Sequence, residues 1–390
     1  MNRSYLFIIL SLFTWGVGEG LFLYFQPLYL QQLGANPVLI GTILGVMGVV
    51  MALAQVPAGK LADRVGSRSL MVASWTVGTA AALLMAFAKT LPVFAVGLII
   101  YGASGFSISA MNRYIIDVRG KFTVGRSLTL ASGLYNLGAV VGPVTGGLLA
   151  NKYGYQTIFF VSFVVFVIST ILILSIEKHP PVHHEDSNSQ AAHGMTRNPA
   201  FFFFAAMVFM LIISLDLAQP LTPNFLQNQQ GFDPALIGIM GSVGNLGNAL
   251  SMLLLGSLRP IVGMLAGQTM VAGFAALFLF GNSPVLFGMG YFLFGGFRLS
   301  KTMVLAFARP LVHPEETGLA FGILETVSAF AIILAPVIAG VLYDQSPRLM
   351  YEVAFGAVLG SILITSFGLP RIQKKFAATV DEQIVTVDDD

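Results

Sequence analysis

Apolar stretches of about 20 residues or more, separated by short polar turns, recur along the whole chain, and each is long enough to cross a bilayer as a helix. They predict helices near 5–31, 38–57, 69–87, 92–116, 125–150 and 156–176, and again near 200–227, 235–256, 261–281, 284–308, 318–343 and 349–368. Breaker signals stand between them: Gly34-Ala35-Asn36-Pro37, Lys89-Thr90-Leu91-Pro92, Gly231-Phe232-Asp233-Pro234 and Gly281-Asn282-Ser283-Pro284. The expectation is an all-α membrane protein of twelve transmembrane helices in two six-helix bundles.

Composition sharpens this picture. Of 390 residues, 56% are hydrophobic and 10% charged, against about 45–50% and 25% in a soluble domain. The chain has no cysteine, which excludes disulfides, thiolate metal sites and a cysteine nucleophile. A net charge of +2 provides no basic face for nucleic acid. No phosphate-cradling G-x-x-x-x-G-K-[S/T] segment occurs, so ATP is not the expected energy source, and no cofactor is expected. The first apolar stretch runs far past Gly20 without a small-residue cleavage pattern, and is expected to be retained as a span.

Basic residues set the orientation. With both termini in the cytoplasm, fourteen Lys and Arg fall on inner segments, three (Lys89, Lys152, Arg348) on outer loops, and Arg113, Arg298 and Lys301 within spans. A multi-pass protein of a cytoplasmic membrane, prokaryotic from its short loops, is the expected setting, acting as a monomer.

The chain is internally duplicated. Between Gly34 and Gly66, twelve of 33 positions are identical to the residue 197 places later, including Pro37/Pro234, Gly41/Gly238 and Gly66/Gly263. At an offset of 193, Gly125/Gly318, Pro143/Pro336, Val144/Val337, Gly147/Gly340 and Leu149/Leu342 also match. Two pseudo-symmetric halves follow, 1–176 and 200–370, with a cytoplasmic linker at 177–199 and a tail at 371–390. Parallel halves of this kind are a transporter architecture, with the substrate site expected between them near mid-bilayer.

The segment after the second span reads Gly59-Lys-Leu-Ala-Asp63-Arg64-Val-Gly66-Ser67-Arg68. It resembles the loop signature of the major facilitator superfamily, G-x-L-a-D-r-x-G-r-k, with Ser67 departing from the first basic position. Gly59 and Gly66 permit a tight turn, and Asp63 suits a neighbouring helix N-terminus. The resemblance implies that this neighbour is span 11, beginning near Thr317. Span 5 carries Gly138-Ala-Val-Val-Gly142-Pro143-Val-Thr-Gly146-Gly147, similar to the superfamily's antiporter signature. Its bare face, with Gly238, Gly241, Gly244 and Gly247 on span 8, predicts that spans 5 and 8 pack together. Span 11 (Ala335, Pro336, Ala339, Gly340) should do the same against span 2 (Gly41, Gly45, Gly48). The family's span-4 arginine is missing; Arg113 is instead expected to pair with Asp117 four residues on.

Charges inside spans are costly and so point to function. Glu19 and Asp216 lie 197 apart, on repeat-equivalent positions, each about 21–22 Å along its helix. At that depth a carboxyl can take up a proton in one state and release it, or pair with a cation, in another. On spans 10 and 11, Arg298 and Glu325 lie at similar depth and are expected to pair, either as a structural ion pair or as a coupling pair in which Glu325 switches between Arg298 and a proton, with Lys301 snorkelling toward the cytoplasm. Tyr24, Gln26, Tyr29, Tyr135, Asn136, Gln219, Asn224, Asn245 and Asn248 are the polar and aromatic groups expected to line a cavity for amphipathic small molecules.

His179, His183, His184 and His193 crowd the linker, but their spacing fits no metal site, and none is expected. The tail is expected to be disordered. Together these features predict a secondary active transporter resembling the drug and metabolite proton antiporters, whose partners are the lipid bilayer, a small amphipathic or cationic substrate, and protons. A sugar or metabolite exporter or facilitator of the same fold is the alternative. A membrane enzyme would need a nucleophile–base or metal constellation, and a transporter-like receptor would bind without flux.

Overall fold

The computed structural model describes residues 2–177, 199–312 and 317–387. It is built from sixteen α-helices, with no strand among the described residues. They are α1 (Arg3–Leu23), α2 (Gln26–Gln32), α3 (Pro37–Val65), α4 (Ser67–Phe87), α5 (Leu91–Ala103), α6 (Ile108–Val118), α7 (Val124–Tyr153) and α8 (Tyr155–Leu174). The second half follows with α9 (Pro199–Asp216), α10 (Thr222–Gln230), α11 (Pro234–Leu255), α12 (Pro260–Phe280), α13 (Pro284–Leu293), α14 (Gly296–Ala308), α15 (Thr317–Gln345) and α16 (Pro347–Val387).

Eight of the predicted spans fall on single helices, and spans 1, 4, 7 and 10 each fall on two. A 3-10 turn at Ser104–Ser107 separates α5 from α6, which meet at 43°. Pro220 and Pro223 accompany the break between α9 and α10, and Phe294-Gly295 that between α13 and α14. Among the described residues, nine helices are long and apolar enough to cross a membrane, or ten if the bent α5–α6 pair counts as one. Predicted spans 7 and 10 fall short because their helical pieces hold only 18, 9, 10 and 13 residues.

The duplication is visible in the caps. Gly34 and Gly231, repeat-equivalents, both take positive φ (98° and 68°), where a side chain would be strained. Asn36 and Asp233 then cap α3 and α11, their side-chain oxygens accepting from Leu39 N at 2.8 Å and Leu236 N at 2.7 Å. Pro37 and Pro234 open the helices with no amide hydrogen to leave unsatisfied.

Two compact units emerge, each assembled from several segments of the chain. The first holds Met1–His184 with Gln219–Asn245 and Pro336–Gln345; the second holds Glu185–Ala218, Leu246–Ala335 and Ser346–Asp390. In the first, α1 packs on α7 and α8 over a core that includes Tyr5, Ile8, Met71, Trp75, Tyr114 and Ile173. In the second, α12 is central, packed by α13, α14 and α16, and its buried Gln268 donates to Ser361 at 3.1 Å and Thr365 at 3.0 Å. Large apolar side chains point outward, Leu253 at 77% and Phe280 at 74% exposure. Such surface is stable against acyl chains and not against water.

Two sequence expectations change here. Gly59 makes no turn, because α3 continues through it to Val65; the chain turns only at Gly66, with φ 81°. The tail expected to be disordered is helical to Val387. The side chains of Asp63 and Arg64, and the linker histidines His179, His183, His184 and His193, lie outside the described residues.

Candidate functional site

Glycine positions the first carboxylate. Gly16 and Gly20 on α1 face α7 so closely that an added Cβ at Gly20 would meet Ala139 O and Gly142 Cα at 3.1 Å. Gly138, Gly142 and Gly146 answer from α7 against Phe13, Val17, Gly20 and Leu21. Close backbone approach brings the next residues into contact. The Tyr135 hydroxyl on α7 donates to Glu19 Oε2 on α1 at 2.5 Å, and Tyr101 on α5 stacks on Trp15, one helical turn before Glu19. Trp15, Tyr101, Phe166 and Phe22 complete an aromatic wall, with Trp15 and Phe166 centroids 4.2 Å apart.

The glycine stripe therefore serves α1, which corrects the expectation that it packs against span 8. Pro143 and Gly147 lie on another face of α7, and these two do meet α11: a Cβ at Gly238 would strike the Pro143 carbonyl oxygen and approach Gly147 Cα at 3.0 Å. Of the span-8 strip, Gly241 instead faces Tyr24, and Gly247 faces Phe292. The predicted pairing of spans 2 and 11 holds, with Gly41 against Pro336 and Gly340, and Gly340 against Pro37 and Val38.

In the second unit Asp216 is the last residue of α9 and is 9% exposed. Carbonyl groups at a helix C-terminus favour a cation nearby, and α14, which carries Lys301, packs against α9. Lys301 Nζ stands 3.1 Å from Glu325 Oε2 on α15. Here the structure overturns the expected Arg298–Glu325 pair. Arg298, one turn earlier on α14, is exposed and forms no ion pair among the described residues. Three residues amount to nearly a full turn, so depth alone left Arg298 and Lys301 close competitors; the face decided between them.

The other predicted cavity residues scatter. Tyr24 OH donates to Asn245 Oδ1 at 3.2 Å, and Asn245 Nδ2 donates to Ala139 O at 2.6 Å, tying α11 to α1 and α7. Asn224 is 1% exposed and donates to Pro27 O at 3.2 Å and Gln31 Oε1 at 2.5 Å, joining α10 to α2. Tyr29 donates to Ala88 O at 2.9 Å, and Asn136 to Ser132 O on its own helix at 2.8 Å. Gln219 is half-buried, and the amide oxygens of Gln26 and Asn248 are buried with no hydrogen-bond partner among the described residues. A cavity of about 400 Å³ lies beside Gln31, Gln32, Tyr155 and Gln227, and no predicted site residue lines it.

Sequence reasoning missed Tyr101, whose role depends on the α5 path, and the task of Arg68. Arg68 Nε donates to Ile176 O at 2.7 Å and its Nη2 to Leu174 O at 2.8 Å. It thus satisfies carbonyls left open at the end of α8, a signal legible as a basic residue beside a helix C-terminus.

Comparison with known proteins agrees with this architecture. A family model described as the Major Facilitator Superfamily matches residues 7–297 and 203–383. Multidrug resistance protein 2 of Bacillus subtilis is 21% identical over 394 residues, covering 96% of both chains. Quinolone resistance protein NorA of Staphylococcus aureus is 22% identical over 403 residues, covering 98% of this chain and 100% of its own. Among solved structures, the nucleoside transporter NupG superposes with a TM-score of 0.80 at 16% identity, over 96% of this chain and 100% of that one.

Proposed function

This chain belongs to the Major Facilitator Superfamily, and on that footing we propose that it is a proton-coupled exporter of small amphipathic or cationic compounds. It is a multi-pass membrane transporter with multidrug-efflux relatives at low identity. The finer reading is our own: twelve spans, counting the broken pairs α9–α10 and α13–α14 once each, both termini in a prokaryotic cytoplasm, and a monomer that alternates its access.

One observation carries the coupling. Two carboxylates stand at repeat-equivalent positions, Glu19 five residues before the α1–α2 break and Asp216 at the α9–α10 break itself. A helix break loosens the backbone where a charge must change partners, and intramembrane acids that exchange a proton for a cation are how a gradient drives export. Aromatic walls near Glu19 suit flat, apolar cations.

Ethidium efflux from proteoliposomes under an imposed pH gradient tests this. Wild-type flux should rise with the gradient, while Glu19→Gln and Asp216→Asn should each lower gradient-driven flux at least about tenfold, consistent with a lost contribution of some 1.4 kcal/mol or more. Flux indifferent to the gradient would identify a facilitator instead.

A further inference from the structure

We propose that Lys301 is a positioning residue shared between Glu325 and Asp216, so that a proton arriving at Glu325 hands the ammonium to Asp216. This rests on the proton-coupled reading and adds to it a residue and a direction of transfer.

The second unit puts three charges on three helices: Asp216 ending α9, Lys301 on α14 and Glu325 on α15. The ammonium holds Glu325 at 3.1 Å, and α14, which carries it, packs against α9, which ends at the buried Asp216. Helices α10 to α13 carry no Asp, Glu, Lys, Arg or His. On α15 the only other such residue is Asp344, at its far end, and on α16 Arg348, Glu352 and Arg371 lie toward the two ends of the apolar stretch. Arg298 points to the exposed surface. The cluster is therefore two carboxylates and one cation, one positive charge short of balance.

That shortage makes the ammonium a switch. With Glu325 ionised, Lys301 stays with it, and Asp216, buried at the negative end of α9, is satisfied by a proton or by a cationic substrate. When Glu325 takes a proton, its ion pair is lost, and Lys301, keeping its own three protons, turns to Asp216 and displaces the bound cation. Loss of the Glu325 proton reverses the exchange. The pair is built to separate: Lys301 and Glu325 side chains are 31% and 48% exposed, and partly exposed pairs contribute little net stability. A fully buried pair would be held too firmly to part.

The test reads Asp216 directly, without a transported ligand. Dicyclohexylcarbodiimide modifies protonated carboxyls in apolar surroundings, and mass spectrometry of the purified full-length protein gives the labelling of Asp216 against pH. Removing the cation in Lys301→Gln should move the labelling midpoint about one pH unit or more upward, whereas Glu325→Gln, which leaves Lys301 to Asp216 alone, should move it downward by a similar amount. Lys301→Arg keeps the charge and should keep the wild-type midpoint. Opposite shifts from the two neutral variants are not produced by a structural role. Midpoints unchanged in both would overturn the proposal even where wild-type flux follows the pH gradient, and gradient-indifferent flux would overturn the coupled reading separately. If Lys301→Gln fails to fold, the near-isosteric Glu325→Gln decides alone: a downward shift supports the exchange, and no shift refutes it.

Discussion

Gln31 and Asn228, 197 positions apart and therefore equivalent in the two repeats, hold each other by both side-chain amides. Gln31 Nε2 donates to Asn228 Oδ1 at 3.1 Å, and Asn228 Nδ2 returns a bond to Gln31 Oε1 at 3.0 Å. Asn224 and Pro27, also 197 apart, are joined beside them. A residue that touches its own repeat-equivalent must stand next to the axis relating the repeats, at the end expected to face outside. Each exposed amide bond is worth about 1 kcal/mol or less, so the clasp opens at little cost, as the proposed alternation would need. Because the chain has no cysteine, Gln31→Cys with Asn228→Cys gives a clean double variant. Bridging it with a short bis-methanethiosulfonate reagent should stop ethidium flux in proteoliposomes, and reduction should restore it. Flux surviving a complete bridge would mean that this end never opens.

The helix crossings beside the clasp are equally symmetric and less forgiving. Gly41 abuts the Pro336 carbonyl, and its equivalent Gly238 abuts the Pro143 carbonyl, with room for no Cβ at either. Gly41→Leu or Gly238→Leu should therefore cost about 1–3 kcal/mol of packing at the crossing and reduce flux several-fold at unchanged membrane levels. Gly356→Leu, where nothing lies within 4 Å, should be silent. Quantitative immunoblotting alongside flux measurement separates loss of transport from loss of protein.

Much of this was legible in the sequence because lipid leaves few choices. Apolar stretches can only become helices when every backbone group must be satisfied internally, and the 197 offset already paired Gly41 with Gly238 and Glu19 with Asp216. Which face of a helix meets which neighbour was not legible. The glycines of α7 sit four apart on one stripe, yet that stripe serves α1, while Pro143 and Gly147, a small rotation away, meet α11. Lys301 displaced Arg298 for the same reason: depth can be counted along a helix, but rotation is fixed by packing. Helix breaks within spans 1, 7 and 10 were also unreadable from hydropathy, since Phe25, Leu217 and Phe294 are as apolar as their neighbours.

Arg68 offers a test of the loop motif independent of transport. Its guanidinium reaches two carbonyls at the end of α8 through two different nitrogens, a fork that an ammonium cannot reproduce. Hydrogen bonds from a charged donor are worth about 1.5–3 kcal/mol when buried and less at this partly exposed site. Arg68→Lys and Arg68→Ala should both lower the unfolding midpoint in detergent by roughly 2–4 °C, with lysine recovering little. Full recovery by lysine would show that charge alone matters there.

The two tryptophans of the chain provide the last prediction. Trp15 and Trp75 are 5.1 Å apart, and Trp15 lies one helical turn before Glu19 on α1, so intrinsic fluorescence reports on one place in the protein. Trp75 Nε1 donates to Ser11 and Ser169 at 3.0 Å each; those hydroxyls also bond each other at 2.8 Å, and Trp75→Phe should therefore fold with a loss of only about 1 kcal/mol. In that variant Trp15 alone remains. Protonation of Glu19, or a cation bound beside it, changes the charge one helical turn from the indole, and a pH titration should change Trp15 emission with a single midpoint. Adding Glu19→Gln to the same background should erase the transition, while Asp216→Asn should leave it in place. A transition that persists without the Glu19 carboxylate would assign the proton to another group and remove Glu19 from the coupling path.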